Sequence, residues 1–287
     1  VIQPPETAMR IFVILLTSLL LPACASSQVM RAHFIDVGQG DATLFEFPCG
    51  AILVDTGGED NDQFNSTEAL RDYLDGFFAI RADLDHLAAL IITHPHTDHT
   101  RGIEAVLRDY SPENVVTNCQ ETGSGRYQQR RAHRAVQDVA GPPHDDDIGF
   151  EDVTLDEIGE MGMVNVAIDP VNCAGADPEI RVLWGTLSSD PGWGNDSRGE
   201  PHFNDENNHS VVVRVDFGES SVLLTGDLED VAIDTLLEQF DDEDLLDVDV
   251  YQVGHHGSKN GTASALVEEM TPEMAVISMG PADRMVP

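Results

Sequence analysis

Short apolar runs broken by glycine- and aspartate-rich turns set the rhythm of this 287-residue chain. Residues 31–37, 42–47 and 51–55 read as three consecutive strands with turn glycines between them, and residues 64–80 read as a helix. A continuous apolar run follows at 87–92, long enough for a strand buried on both faces at 89–93, and then a helix-like segment at 100–108. From 118 to 207 the pattern is less regular, with glycine, proline and aspartate scattered through it. This region is expected to hold a helix rich in arginine, two or three strands, and a loop over the active site built around residues 184–203. Regularity returns with a hairpin of 210–216 and 220–224, a helix at 228–240, a strand at 248–253, and a further helix and strand. The length supports one sizeable domain, and two mixed sheets sandwiched between helices, an α/β fold in αββα layers, satisfy this order of elements. No internal repeat is visible in the sequence.

The candidate chemistry lies where predicted strands end. After the run at 87–92 comes His94-Pro95-His96-Thr97-Asp98-His99, four potential metal ligands in six residues. Neutral imidazole nitrogens and carboxylates suit zinc, manganese or iron. By alternation His94 and His96 point toward one metal, while Asp98 and His99 turn toward a second. The strand at 220–224 runs into Thr225-Gly226-Asp227, and the strand at 248–253 runs into Gly254-His255-His256-Gly257-Ser258. Taken alone, Asp227 reads as the cap of the helix at 228–240, and His255-His256 reads equally as turn or ligand. Three strand ends delivering His, Asp and His make a shared metal centre the stronger reading.

With these motifs the chain resembles the metallo-β-lactamase superfamily, whose hallmark is His-x-His-x-Asp-His. More narrowly it is similar to the hydrolase domain of ComEC-type DNA-uptake proteins. The resemblance rests on His33-Phe34-Ile35-Asp36-Val37-Gly38-Gln39-Gly40-Asp41-Ala42, Ile52-Leu53-Val54-Asp55-Thr56-Gly57-Gly58, Asn208-His209-Ser210-Val211-Val212-Val213-Arg214, and the two loops after Leu224 and Val253. It implies two divalent metal ions, zinc first and manganese second. His94 and His96 would hold one, Asp98 and His99 the other, with Asp227 bridging and His255 or His256 adding a ligand. His209 is the nearest match to the third histidine of the first site and His202 the alternative; if neither ligates, His255 and His256 serve one metal each. The implied chemistry is attack by a hydroxide shared between the metals, with Asp98 orienting that nucleophile as the catalytic carboxylate. Asp55 is expected to orient a ligand histidine from behind, and Asp36 to brace the turn at 38–40. The implied substrate is a phosphodiester, with single-stranded DNA the leading case. A phosphorylcholine-type ester and a non-catalytic metal-binding surface protein are the alternatives.

Three further features modify this picture. Residues 1–24 are expected to be upstream residues and a lipoprotein-type signal peptide: Arg10, an apolar stretch at 11–21, then Leu21-Pro22-Ala23-Cys24. Lipidation at Cys24 with a short tether at 25–30 would put a hydrolase domain at 31–287 on a cell surface or in the periplasm; plain secretion is the alternative. That domain is expected to be truncated at its C-terminus. In an oxidising compartment Cys119 and Cys173 are the pair expected to bond. The chain has 52 acidic against 15 basic residues, a net charge of −37, and Lys259 is its one lysine. Such a composition suits a salt-adapted protein and opposes binding of nucleic acid through a basic face. The one basic cluster, Arg126, Arg130, Arg131 and Arg134 with His133, places three arginines on a helix face. That face binds substrate phosphates or pairs with acids such as Asp145-Asp146-Asp147.

Overall fold

The computed structural model describes residues 28–120, 122–139, 148–187, 203, 205–241 and 244–280. The signal segment, Cys24, His202 and the acids at 145–147 lie outside these residues. The chain builds two sheets in the same order, a meander followed by parallel strands joined through helices. The first holds β1 (Arg31–Phe34), β2 (Thr43–Glu46), β3 (Ala51–Val54), β4 (Ala89–Ile91), β5 (Asn114–Thr117) and β6 (Gly149–Asp152), neighbours in that order. β1 to β3 are antiparallel and β3 to β6 parallel. Helices α1 (Ser66–Ile80), α2 (Thr97–Thr100), α3 (Ile103–Asp109) and α4 (Arg126–Val139) lie in its connections. The second sheet runs β11 (Met274–Val276), β10 (Val250–Gln252), β9 (Ser220–Leu224), β8 (Val212–Phe217), β7 (Pro178–Trp184), with α5 (Asp230–Gln239) and α6 (Ser264–Met270) in its crossovers. These are the expected two mixed sheets flanked by helices.

Pleat alternation assigns each face of the first sheet. Leu44, Leu53, Leu90 and Val115 are register partners across β2 to β5 and pack with Leu70, Leu74 and Phe77 of α1 and Ile103 and Val106 of α3. Their neighbours Phe45, Ile52, Ala89, Ile91 and Val116 face the other way, into the core shared with Val213, Val215, Val222 and Leu224 of the second sheet. That core continues to Ile233 and Leu236 of α5 and Leu266 and Met270 of α6. Each such side chain contributes roughly 1.5–3 kcal/mol when fully buried. β3 to β5 are covered on both faces, which is why 87–92 reads as an unbroken apolar run.

Several boundaries differ from expectation for local reasons. α1 starts at Ser66 because Asn65 caps it, its side chain accepting from Glu68 N. Trp184 is not part of a loop: it ends β7, fully buried, with Nε1 donating to the Asn208 carbonyl. The expected Cys119–Cys173 pair is corrected to Cys49–Cys173, with 5.4 Å between the Cα atoms. Cys49 sits in the β2–β3 turn, and the neighbouring Gly50 packs on Val171, two residues before Cys173. Cys119 instead follows β5, on the chain leading away from that turn.

Candidate metal centre

The histidine- and aspartate-bearing ends of β3, β4, β9 and β10 converge at one edge of the sandwich, where the loops leave the carboxyl ends of the parallel strands. Asp227 is the hub. Its Oδ1 lies 3.2 Å from His99 Nε2, and its Oδ2 lies 3.7 Å from His94 Nε2, 3.6 Å from His256 Nε2 and 4.0 Å from His255 Nε2. It does not cap the following helix; Glu229 occupies that position. Asp98 Oδ2 is 3.3 Å from His256 Nε2, and its side chain is a third exposed whereas Asp227 is buried. His94 and His96 stack edge to face, 4.7 Å between ring centres.

Rigid supports hold these groups. Asp55 Oδ2 is 2.7 Å from His99 Nδ1 and accepts from the Thr93 hydroxyl, while its Oδ1 accepts from Thr93 N. Asp55 thus sits behind His99, as expected of a bracing carboxylate, and turns Nε2 of His99 toward Asp227. Asp36 accepts from Gly38 N, tying the turn as expected. His256 is held through Nδ1 and the Ser278 carbonyl at 2.9 Å, whereas His255 Nδ1 lies 3.3 Å from Glu229 Oε1 without forming a hydrogen bond. His255, His256 and Gly257 all have positive φ (47°, 52° and 79°), a left-handed run that costs the two histidines roughly 1–2 kcal/mol each. The loop tolerates this strain where both imidazoles must turn back toward Asp227.

The electrostatics suit cations. His94 Nε2, His99 Nε2, His256 Nε2 and Asp227 Oδ1 are buried without a hydrogen-bond partner, a costly state that a cation would relieve. Burial and the neighbouring His99 hold His94 well below its ordinary value, so it is a neutral donor. Burial alone would raise Asp227, but His99 and His94 outweigh it and keep the carboxylate ionised. The donor set, imidazole nitrogens with carboxylates, is that of zinc and manganese sites. Among the described residues three candidate ligand groups are compact, each with donor atoms within 4.8 Å of one another: His94, His96 and Asp227; Asp41, His99, Asp227 and His256; and, more exposed, His96, Asp205 and Glu206.

His209 is not brought to this centre. Its Nδ1 accepts from Leu187 N and meets the Thr186 hydroxyl, both at 3.2 Å, while Nε2 lies 3.0 Å from the Phe203 carbonyl. The turn Glu206–His209 instead presents Glu206, whose Oε2 is 3.8 Å from His96 Nε2. The sequence reading left Asp41, Glu206 and Glu229 out of the site. Asp41 had a signal, its place in the motif His33 to Ala42 directly after Gly38-Gln39-Gly40, but a carboxylate after glycines reads as a turn residue. Burial pushes the Asp41 carboxyl up to about 6, against the pull of His256 and His99.

Comparison with known proteins finds relatives along most of the chain. The family model of the metallo-β-lactamase superfamily matches residues 35–280. ComE operon protein 3 of Bacillus subtilis (strain 168) is 26% identical over 277 residues, 93% of this chain and 30% of that protein. Recombination protein 2 of Haemophilus influenzae is 26% identical over 268 residues, 93% of this chain and 26% of its own length. The chain thus spans less than a third of either relative. Among solved structures, the short form of human tRNase Z is 11% identical with a TM-score of 0.45, covering 88% of this chain and 93% of that one. On the family match over residues 35–280, the chain belongs to the metallo-β-lactamase superfamily and has its hydrolase fold.

Proposed function

We propose that this protein is a binuclear metal-dependent phosphodiesterase, with single-stranded DNA its leading substrate. The observation that carries the reading is the set of buried, unpartnered imidazole nitrogens gathered on Asp227. One cation would be held by His94, His96 and Asp227 and the other by Asp98, His99, Asp227 and His256. With His209 turned away, His255 becomes the additional nitrogen, its Nε2 directed at Asp227 and its Nδ1 at Glu229. Such cations supply Lewis acidity for the phosphoryl oxygens and lower the pKa of an attacking water. Asp98, partly exposed beside His256, would orient that water. Asp55 keeps His99 in the tautomer that offers Nε2.

The substrate class is supported by the ComEC-type motifs and by relatives named for the ComE operon and for recombination. A net charge of −37 works against a polyanion, so the reading calls for activity that rises with moderate salt before counterion competition reduces it. We further propose secretion, with anchoring through Cys24, which metabolic labelling with a fatty acid would test. The central test uses protein loaded separately with Mn²⁺ and Zn²⁺, offered labelled single-stranded DNA, bis(p-nitrophenyl) phosphate and p-nitrophenylphosphorylcholine. Cleavage of DNA removed by EDTA and by Asp98→Ala supports the proposal. Two bound equivalents with only the choline ester cut would replace it with the esterase reading.

A further inference from the structure

Asp41 is a buried carboxylate at this centre that the assignment of the two cations leaves without a role. It lies on the loop between β1 and β2, 4% exposed, and reaches the groups that β9 and β10 deliver from the other sheet. Its Oδ1 accepts from Gln252 Nε2 at 2.7 Å, and Gln252 is itself oriented because its Oε1 accepts from the Thr43 hydroxyl at 2.8 Å. Its Oδ2 faces His256 Nδ1 across 3.7 Å, too far for a hydrogen bond. That nitrogen is engaged with the Ser278 carbonyl. A carboxylate with one neutral amide donor does not recover the cost of leaving water. What surrounds it is a donor set: His99, Asp227 and His256, all buried, within 4.8 Å of one another and of Asp41. Charge points the same way. Asp41, Asp55, Asp98 and Asp227 together carry a formal charge of −4, which two divalent cations would balance.

We propose that Asp41 is a ligand of the cation held by His99, Asp227 and His256, so that the first sheet contributes a carboxylate to the second cation site from a loop remote in sequence from the histidine motif. The inference rests on the two-cation reading. It gives Gln252 a role as a positioning residue: by occupying Oδ1 it leaves Oδ2 for the cation. A purely structural Asp41 would need only the Gln252 contact, which asparagine reproduces in size and shape.

The test is Asp41→Asn in the full chain, with metal content measured by elemental analysis after dialysis at limiting free Zn²⁺ or Mn²⁺, and Tm measured with and without metal. The expected result is at least a tenfold loss of affinity for one of the two equivalents and a smaller rise in Tm on adding metal. Metal-free Asp41→Asn should be no less stable than the metal-free parent, because a repelling charge has gone. Two equivalents bound as tightly as in the parent, with a lower metal-free Tm, would overturn the inference and leave Asp41 a packing contact. Should Asp41→Asn not fold, Asp41→Cys loaded with Co²⁺ gives an independent reading. A sulfur-to-cobalt charge-transfer band places position 41 on the metal, and a cobalt spectrum without it rejects the assignment. These measurements use no substrate. A parent chain that binds no cation fails the two-cation reading itself, whereas a parent with two equivalents and an unaffected Asp41→Asn fails only this inference.

Discussion

Gly58→Ala isolates the packing that places Asp98 and His99. The Gly58 backbone runs so close to the start of α2 that a Cβ would lie 2.0 Å from Asp98 Cα, 2.6 Å from Asp98 N and 2.7 Å from the Thr97 carbonyl. Carbon atoms in contact sit about 3.5–4.0 Å apart, so one methyl group demands roughly 1.5–2 Å of separation. The obstructing atoms are backbone, and α2 is a single turn that carries two of the proposed ligands, so relief comes by displacing Asp98 and His99. Metal–ligand distances tolerate about ±0.2 Å, and a shift of about 1 Å at a reacting group costs on the order of a hundredfold in rate. Gly58→Ala should therefore keep one tight metal equivalent, lose the second, and fall at least a hundredfold in phosphodiester turnover. Elemental analysis after dialysis and steady-state kinetics read the two effects, and circular dichroism confirms the fold. Gly76→Ala is the control: nothing lies within 4 Å of its Cβ position in the interior of α1, so alanine should add about 0.5–1 kcal/mol of stability without touching activity. A folded Gly58→Ala protein with two equivalents and full turnover would refute this account of how the loop after β3 sets the ligands.

Other perturbations follow from the same structure. Asp55→Asn keeps a residue that tolerates the positive φ of 60° at this position but weakens the brace on His99; metal affinity should drop about 10–100-fold, read by chelator competition. Cys49→Ser opens a disulfide spanning 124 residues and should cost about 2–5 kcal/mol in chemical denaturation, whereas Cys119→Ser should not. Glu46 gives the fold an acid limit. Burial alone would raise its carboxyl above the ordinary 4.5, but Arg81, Arg31 and His33 outweigh burial and hold it lower. With the folded value below the unfolded one, the stabilisation is present above about 4.5 and is lost as pH falls through the folded value. Glu46→Gln should therefore be less stable than the parent at neutral pH, with the gap closing in acid, measured by urea midpoints across pH.

The sandwich was legible because its strands carry the signature of their burial. The run at 87–92 is apolar throughout since Leu90 meets α1 and α3 while Ala89 and Ile91 meet the second sheet. The His94 to His99 cluster, Asp227 and His255-His256 were legible because each follows such a strand. What local sequence could not reveal depends on contacts between distant segments. The orientation of His209 is decided by Thr186, Leu187 and Phe203. The partner of Cys173 is decided by the β2–β3 turn reaching Val171. Asp41 gains its surroundings only when Gln252, 211 residues later, is brought beside it.

The central claim is a pair of cations organised around Asp227, and anomalous diffraction from crystals equilibrated with Mn²⁺ or Zn²⁺ tests it most directly. The account predicts two peaks about 3.5–4 Å apart, one against His94 and His96 and the other against His99 and His256, with the Asp227 carboxylate between them. A single peak, or none at Asp227 in a folded protein that still cleaves phosphodiesters, would contradict it.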